Sequence, residues 1–439
     1  MRRVPPLAIL AVGWIVLVLY AYPGVMTMDS FDQLREGRHW FFTDAHPPAM
    51  AAIWGVLDRI YAGPLPMLIL QSGLFLAGIF LILLRALSPR WAALVAVLIL
   101  WFPPVLVPMA VIWKDCLMAG FLALGAAALM AERRRWQWIG LGLLVMASAV
   151  RYNAPAATGP LIFFLFRIGT GWKRYAIAVV AWLGVTFVAF EGGGLLVARE
   201  MHFWHSSLAL EDIVGTLAHV EETIPDSELG PLLAPTGVLV DRDYHARLRA
   251  KYVPYDFQQL VSGDGHLWDV PLQGTVPAPQ AQRDAIGKAW SAIVPTHKRA
   301  YLAYRLDVFA DVIGLRKKFQ GATVIRHDVQ YKGLLDEAGV QNVETAFSRN
   351  GENFTMWVAK RTRLFRPHVY VILAVLLLFA CRRDRECAAL LLSGLGLELS
   401  LLPLVQAPDY RYSHWLVVTT CLALVMLIVR RARAIGGGA

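Results

Sequence analysis

Long apolar runs alternate with short polar connections along most of the chain. Most runs have the roughly 17–25 residues that a helix needs to cross a bilayer, and residues 136–150 and 154–167 are near the short limit. The pattern predicts an all-α polytopic membrane protein, a bundle of about ten transmembrane helices. The runs are 7–25, 64–86, 91–112, 115–131, 136–150, 154–167, 175–198, 367–381, 387–407 and 413–430.

Composition agrees with this class. A hydrophobic content of 57% over 439 residues and a mean hydropathy of +0.50 exclude a soluble globular protein. The 15 Trp and 14 Tyr residues suit the membrane–water interfaces. We predict a lipid bilayer and no nucleic acid as partner, because the net charge of +10 is concentrated in the short connections.

The distribution of basic residues predicts the orientation. With both termini cytoplasmic, the inside connections hold 16 of the 42 basic residues and only three of the 32 acidic ones. This asymmetry follows the positive-inside rule. The N-terminal Met-Arg-Arg and its apolar run lack a small-residue cleavage site, so we interpret them as a retained first span.

The spans divide the chain into three parts. Residues 1–198 form an N-terminal transmembrane core with a polar first outer loop at 26–63, and residues 367–439 form the C-terminal transmembrane helices. Between them, residues 199–366 are long enough for an extracytoplasmic, mostly helical domain. Within it we predict helices at 208–222, 244–252 and 282–314, the last interrupted at Pro295, and loops at 224–238 and 263–280.

The first outer loop is the most acidic stretch of the N-terminal third. Ser30 and Gln33 have the spacing of a capping box, which predicts a helix that starts at Ser30. Asp29 would then lie just outside that helix and Asp32 in its first turn. Pro47 favours the start of a second helix. The titratable residues of interest are Asp29, Asp32, Asp44 and His46.

Four polar clusters lie at the outer ends of the predicted spans. Ionisable groups at membrane depth are costly, so they mark functional sites, although a single cluster of this kind is also typical of interfacial anchoring. The carboxylates suit a general base, and Lys114, Arg151 and Arg411 suit a phosphate. The clusters are the first outer loop, Trp113-Lys114-Asp115, Arg151-Tyr152-Asn153, and Pro408 to His414.

Other common sites are not indicated. The sequence has no phosphate-binding Walker loop, no dinucleotide fingerprint and no nucleophile elbow, so we predict no cofactor. His202 and His205 have a possible metal-ligand spacing, but an interfacial pair suits them better, and we predict no metal. The four cysteines lie in or beside spans without a disulfide pattern; they are Cys116, Cys381, Cys387 and Cys421.

Taken together, these motifs resemble the GT-C superfamily of membrane glycosyltransferases, in particular bacterial members that use polyprenyl-phosphate sugars. The resemblance lies in an outer loop with Asp29, Ser30 and Gln33 after the first span, followed by His46-Pro-Pro. It extends to three short motifs and a pattern in the outer segment. In chain order these are Lys114-Asp115, Arg151-x-Asn153, Trp290…Pro295…Tyr301-Leu302…Arg305, and Arg411-Tyr412.

The resemblance implies an inverting, metal-independent glycosyltransferase of the bacterial inner membrane. It would move a sugar from a polyprenyl-phosphate carrier to a hydroxyl of a glycan, lipid or protein acceptor. Asp29 matches the family's catalytic acid, with Asp44 and Asp32 as rivals, because the loop lacks the Asp-Glu pair of the lipid A and protein O-mannosyl members. Lys114, Arg151 and Arg411 would bind the donor phosphate. The expected substrate-binding residues are His46, Asp115, Asn153, Tyr412 and Arg305.

Two other functions remain open. A lipid-linked sugar flippase would need polar residues along a passage through the membrane, of which Glu398 is an isolated example. A non-catalytic envelope assembly protein would use the outer segment as a binding module and leave the four clusters without a role. The glycosyltransferase hypothesis predicts that the four clusters meet in one cavity, whereas anchoring predicts that they scatter.

Overall fold

In the computed structural model the chain is almost entirely helical. Six of the described helices begin with proline at the first helical position, where its missing N–H costs nothing, for example Pro48 and Pro155. The structure describes residues 4–254, 256, 258–271, 276–316, 332–341 and 343–436, and all statements below concern these.

The N-terminal part consists of ten helices in sequence. They are α1 (Pro6–Ala21), α2 (Met28–His39), α3 (Pro48–Ile60), α4 (Leu65–Leu83), α5 (Pro89–Leu100), α6 (Pro103–Met109), α7 (Lys114–Met130), α8 (Arg134–Val150), α9 (Pro155–Leu165) and α10 (Gly171–Gly194).

The outer segment, residues 199–366, is also helical where it is described. Its elements are α11 (Phe203–Ser206), α12 (Leu208–Ala218), α13 (Asp226–Leu233), a 3₁₀ turn (Ala234–Thr236), α14 (Tyr244–Lys251), α15 (Gln258–Val261), α16 (Gln280–Ile293), α17 (Lys298–Val312), α18 (Lys332–Ala338) and α19 (Ala346–Arg361).

Most sequence-based boundaries in this segment are confirmed. The helices expected near 208, 244 and 282 are present, and the chain breaks between α16 and α17 beside Pro295. The prediction of a loop at 224–238 is wrong, because α13 and a 3₁₀ turn occupy most of these residues despite Pro231. Leu229 and Leu233 of α13 are buried, so tertiary packing outweighs the local proline signal.

The C-terminal part contains three further helices and a 3₁₀ turn. They are α20 (Pro367–Ala380), α21 (Arg385–Leu404), the turn Tyr410–Ser413 and α22 (His414–Gly436).

Several helices are long and apolar enough to cross a membrane. Four meet that condition: Leu65–Leu83, Gly171–Gly194, Arg385–Leu404 and the stretch Tyr410–Ile435. A fifth would be the pair α5 and α6, which bends by 71° between Leu100 and Pro103. The expected count of about ten spans is not confirmed, because the other apolar helices are shorter than a full crossing.

The helices outside the outer segment and residues 209–293 of the outer segment have separate apolar cores, and residues of α18 and α19 belong to the first of them. The first core joins α4, α7, α9 and α21 with their neighbours. The second lies between α12, α14 and α16, and Ile213, Trp268 and Ile286 are fully buried in it. Residues 209–293 of the outer segment therefore have a hydrophobic centre of their own.

The start of α2 differs from the prediction. The N-cap is Thr27, and Ser30 is the third residue of the capping box, not its first. The hydroxyl oxygen of Ser30 accepts a hydrogen bond from the Thr27 amide at 3.0 Å. Asp29 therefore lies inside the first turn of α2, where a carboxylate is favoured by the helix dipole, and not outside the helix.

Two very short backbone pairings place the first outer loop. Strand β1 (Phe42–Thr43) pairs in parallel with β2 (Val197–Arg199), which follows α10. Val25 forms a parallel bridge with Val111, before α7. The loop is thus attached to two chain segments that lie about 90 and 155 residues away in sequence.

Candidate functional site

Asp29 and Lys114 are brought together by the backbone around them. The Val25 carbonyl accepts from the Ile112 amide at 2.9 Å, and the Ser30 hydroxyl donates to the Ile112 carbonyl at 2.7 Å. These bonds fix the first turn of α2 against the residues that precede α7. Lys114 is the first residue of α7, so its side chain starts beside Asp29.

Arg411 reaches the same place from the C-terminal part. The 3₁₀ turn that carries it is capped by Asp409, whose carboxylate accepts from the Arg411 amide at 3.2 Å. The Arg411 guanidinium lies 2.9 Å from the Asp29 carboxylate and 2.9 Å from that of Asp409. It packs over the rings of Trp113 and Tyr412, at 4.8 and 5.3 Å from their centroids.

Arg151 completes the set of cations from the connection between α8 and α9. Its guanidinium lies 2.7 Å from the buried carboxylate of Asp115 and 4.8 Å from the Tyr412 ring centroid. Its Nε donates to the Asn153 side-chain oxygen at 2.9 Å. Asn153 in turn donates to the Ser400 hydroxyl of α21 at 3.0 Å, which fixes the connection against α21.

Lys114 has a different kind of partner. Its ammonium group lies 2.8 Å from Nδ1 of His46. Burial and the adjacent Lys114 charge lower the pKa of His46 to about 3, so the imidazole is neutral at pH 7 and accepts this hydrogen bond. Within the described part of the chain, Lys114 is the cation of the site that has no carboxylate within 4 Å.

These side chains line one cavity of about 490 Å³, which we call the outer cavity. Its lining combines polar and charged residues with apolar residues at the end of α21 and Phe203 of the outer segment. The lining residues are Asp29, Ala45, His46, Pro47, Lys114, Arg151, Tyr152, Asn153, Phe203, Asp256, Gln258, Leu401, Leu404, Val405, Gln406, Ala407, Arg411 and Tyr412.

Asp29 lines this cavity as an ionised carboxylate. Burial alone would raise its pKa, but the positive charges of Arg411 and Lys114 outweigh burial and hold the pKa well below its usual range. Around it, three carboxylates (Asp29, Asp115, Asp409) and three cations (Lys114, Arg151, Arg411) are close to balanced in charge. The arrangement offers a charged carboxylate and, near it, an ammonium group that has no carboxylate within 4 Å among the described residues.

The two rival acids lie elsewhere. Asp32 pairs with Arg35 at 2.6 Å, one turn along α2, on a solvent-exposed face. Asp44 accepts a hydrogen bond from the Met201 amide and lines a neighbouring cleft instead of the outer cavity. Of the three candidate bases, Asp29 is the one that lines the outer cavity.

The chain was compared with protein-family models, with curated proteins and with solved structures, and no match was found.

Arg305 lies away from the outer cavity. Its side chain is 1% exposed, forms an ion pair with Asp212 of α12, and donates to the Val405 carbonyl at 2.9 Å. The substrate-binding role expected for Arg305 does not fit this position. Instead Arg305 connects the outer segment to the end of α21, and Val405 is part of the cavity wall.

The structure also places residues that the sequence analysis did not single out. Asp409 holds Arg411, and Phe203, Gln258 and Gln406 line the outer cavity. Asp409 stands two residues before Arg411, which is a detectable signal for an Asx-type cap. Phe203 and Gln258 carry no such signal, because their role depends on how the outer segment folds over the cavity.

A metal site is not evident. His202 and His205 have ring centroids 6.3 Å apart, and the Nε2 of His202 lies 3.6 Å from Glu200. Among the described residues no group of three or more His, Cys, Asp or Glu side chains has a metal-binding arrangement. The four cysteines are free thiols, and three of them are buried.

Proposed function

We propose that the protein is an inverting glycosyltransferase of the GT-C type, which moves a sugar from a polyprenyl-phosphate carrier to an acceptor hydroxyl on the outer face of the bacterial inner membrane. The observation that supports this most is the meeting of all four polar clusters in the outer cavity. Side chains that only anchored spans at the interface would have no reason to converge.

The cavity suits a phosphate with an attached lipid. Lys114 is hydrogen-bonded to a neutral imidazole and has no carboxylate within 4 Å among the described residues, so its positive charge can bind the phosphate. Arg411 and Arg151 line the same cavity and can bind the same phosphate. Leu401 and Leu404 of α21 provide an apolar wall, and Leu404 is about half exposed. The isoprenoid chain would leave the cavity along this wall.

Asp29 is the proposed general base. The acceptor hydroxyl gives its proton to Asp29, its oxygen forms a bond to the anomeric carbon, and the bond from that carbon to the phosphate oxygen breaks. The electron pair stays on the phosphate, which leaves as polyprenyl phosphate with one more negative charge. Lys114 and Arg411 stabilise that charge as it develops.

Ten spans are needed for this arrangement. In the proposed topology, α5 and α6 form one broken span, and the short helices α8 and α9 are two spans joined at the outer surface by Arg151 to Asn153. The basic connections, such as Arg133 to Arg135 and Arg382 to Arg383, face the cytoplasm. The outer cavity then opens at the extracytoplasmic surface, beneath the outer segment.

The proposal is tested with the purified protein in lipid nanodiscs. A panel of polyprenyl-phosphate sugars is supplied together with membrane extract as a source of acceptors, and release of free polyprenyl phosphate is scored. We expect release with at least one donor and none with the Asp29→Asn variant. Absence of release across the panel, or equal release by the variant, would contradict the proposal.

A further inference from the structure

A second cleft lies beside the outer cavity, at the outer end of α10. It has a volume of about 180 Å³, and we call it the side cleft. Pro47 and Tyr152 line both the side cleft and the outer cavity, so the two are neighbours separated by these residues. The residues that matter here are Asp44, Pro47, Ser148, Tyr152, Phe190 and Gly193.

The charge of the side cleft is opposite to what a phosphate needs. Its lining contains two carboxylates, Asp44 and Glu200, and no lysine or arginine. The outer cavity holds three cations. A carboxylate accepts hydrogen bonds from hydroxyl groups but repels a phosphate, so the side cleft suits an uncharged hydroxyl-bearing group.

A buried hydroxyl group in the wall supports a polar ligand. Ser148 of α8 is 1% exposed and lines the side cleft, and its hydroxyl has no hydrogen-bond partner among the described residues. A buried polar group without a partner is costly, and a bound hydroxyl would remove that cost. Tyr152 and Phe190 add two aromatic rings in an edge-to-face pair at 6.1 Å.

Asn153 and Tyr152, which are neighbours in the connection between α8 and α9, contact different helices. Asn153 is bonded to Ser400 of α21, on the side of the apolar wall. Tyr152 packs on Phe190 of α10, and its hydroxyl donates to the Asp44 carbonyl at 3.2 Å. The α21 side is where the donor's lipid would leave. In an inverting reaction the acceptor approaches from the face opposite the leaving phosphate, and the α10 side is the one left for it.

We propose that the side cleft binds a sugar ring of the acceptor, whose hydroxyls are held by Asp44, Ser148 and Glu200, so that the acceptor is a carbohydrate. This inference rests on the proposed function for its role in transfer, but the binding of a sugar in the side cleft can be measured without it.

The glycines of α10 allow a sharp test. A Cβ at Gly193 would lie 3.8 Å from Pro48 in ordinary contact, so Gly193→Leu adds a side chain at the lining of the side cleft with no clash at its Cβ. Gly192 has nothing within 4 Å of its Cβ position and does not line the cleft, so Gly192→Leu is the matched control. Both changes replace a helical glycine with a better helix former.

The probes are methyl glycosides of the common hexoses and pentoses, and their binding to the nanodisc protein is followed by saturation-transfer NMR. We expect transfer to at least one glycoside with the unaltered protein, with Gly192→Leu and with Lys114→Met. Gly193→Leu should weaken it about tenfold or more, because the added side chain occupies the ligand's volume.

Other outcomes would contradict either the sugar site in the side cleft or the proposed transferase. No transfer to any glycoside with the unaltered protein, or equal transfer with Gly193→Leu, would show that the side cleft binds no sugar. Loss with Lys114→Met but not with Gly193→Leu would place the sugar in the outer cavity. A protein that binds glycosides as expected but releases no polyprenyl phosphate would refute the proposed transferase and leave this binding site standing.

Discussion

The guanidinium of Arg411 lies 2.9 Å from the carboxylate of Asp29, although the two residues are almost the whole chain apart. This ion pair connects the first outer loop to the turn before α22. It also keeps Asp29 ionised, which a base must be before it accepts a proton. In the proposed reaction Arg411 contacts the proposed base and lies next to the phosphate that leaves.

Replacing Asp29 should stop turnover. Asp29→Asn keeps the shape of the side chain but cannot take a proton, and loss of a positioned base typically lowers the rate about 10²–10⁴-fold. Asp32→Asn is the matched control on the same helix, since Asp32 only pairs with exposed Arg35. The measurement is polyprenyl phosphate release at saturating donor. An active Asp29→Asn with an inactive Asp44→Asn would move the base to Asp44.

The cations of the cavity should differ in what their loss does. Lys114→Met leaves a neutral His46 behind, so we expect weaker donor use with little change in thermal stability. Arg151→Met removes the 2.7 Å partner of buried Asp115 and leaves Arg411, at 3.9 Å, as its remaining cation. Loss of one partner of a buried pair costs at most about 3–5 kcal/mol, and we expect a smaller cost here because Arg411 remains.

A double variant separates the two effects. Asp115→Asn added to Arg151→Met removes the buried carboxylate charge that Arg151 had neutralised. The double variant should recover part of the lost melting temperature, but not donor use. Melting curves in nanodiscs and the donor KM are the two measurements. If Arg151→Met melts like the unaltered protein, the ion pair does not carry the stability assigned to it.

His46 should make stability depend on pH in a defined window. Its pKa is about 3 in the folded protein and about 6.5 in an unfolded chain. Between these pH values the unfolded state binds more protons than the folded state. The contribution of neutral His46 to the free energy of unfolding is therefore complete above about pH 6.5 and is lost as the pH falls toward 3. Asp29, whose pKa is also lowered, loses its contribution only below about pH 4.

The measurement is the change in melting temperature between about pH 7.5 and pH 5, a range chosen to lie above the ordinary carboxylate pKa values. His46→Gln keeps an acceptor for Lys114 but does not titrate, so its melting temperature should fall less over this range. An identical fall in both proteins would mean that His46 is not the residue responsible.

Arg305 should act on stability and on the attachment of the outer segment. Arg305→Met leaves Asp212 buried without its cation, at a cost of about 3–5 kcal/mol. Arg299→Met, an exposed arginine on the same helix, should be nearly neutral. Melting curves distinguish them, and limited proteolysis reports whether the outer segment loosens first. Equal melting of the two variants would argue against the connecting role of Arg305.

The orientation can be checked chemically. A single cysteine at exposed Ser227, in a protein without its native cysteines, should react with a membrane-impermeant thiol reagent added outside intact cells. A cysteine at Arg133 should react only after the membrane is opened. The reverse pattern would invert the topology and place the outer cavity on the cytoplasmic side.

The sequence was sufficient to predict that four of the named charged residues meet. Ionisable groups beside apolar runs are costly, and this alone singled out Asp29, Lys114, Arg151 and Arg411, which line one cavity. It also predicted the helices, because the apolar runs are long and bounded by proline, glycine or arginine. These signals are local and depend only on residue type.

The errors arose where partners are distant in sequence. Ser30 has the spacing of an N-cap, but Thr27 is available to cap the helix while Ser30 bonds to Ile112, 82 residues later. Arg305 has the residue type of a phosphate ligand, but Asp212 and the Val405 carbonyl occupy it. No local pattern contains these partners, so the sequence alone could not assign them.

The position of the ionised Asp29 beside the phosphate-binding cations has an electrical consequence for the proposed reaction. In the proposed reaction Asp29 loses its charge to a proton while the phosphate gains one, so the summed charge inside the cavity is the same before and after transfer. Both groups lie at the same surface, and no charge crosses the hydrocarbon. The membrane potential, worth about 2.3 kcal/mol per elementary charge at 100 mV, therefore does no work on this step. Sugar transfer should run at the same rate in energised and in depolarised membranes.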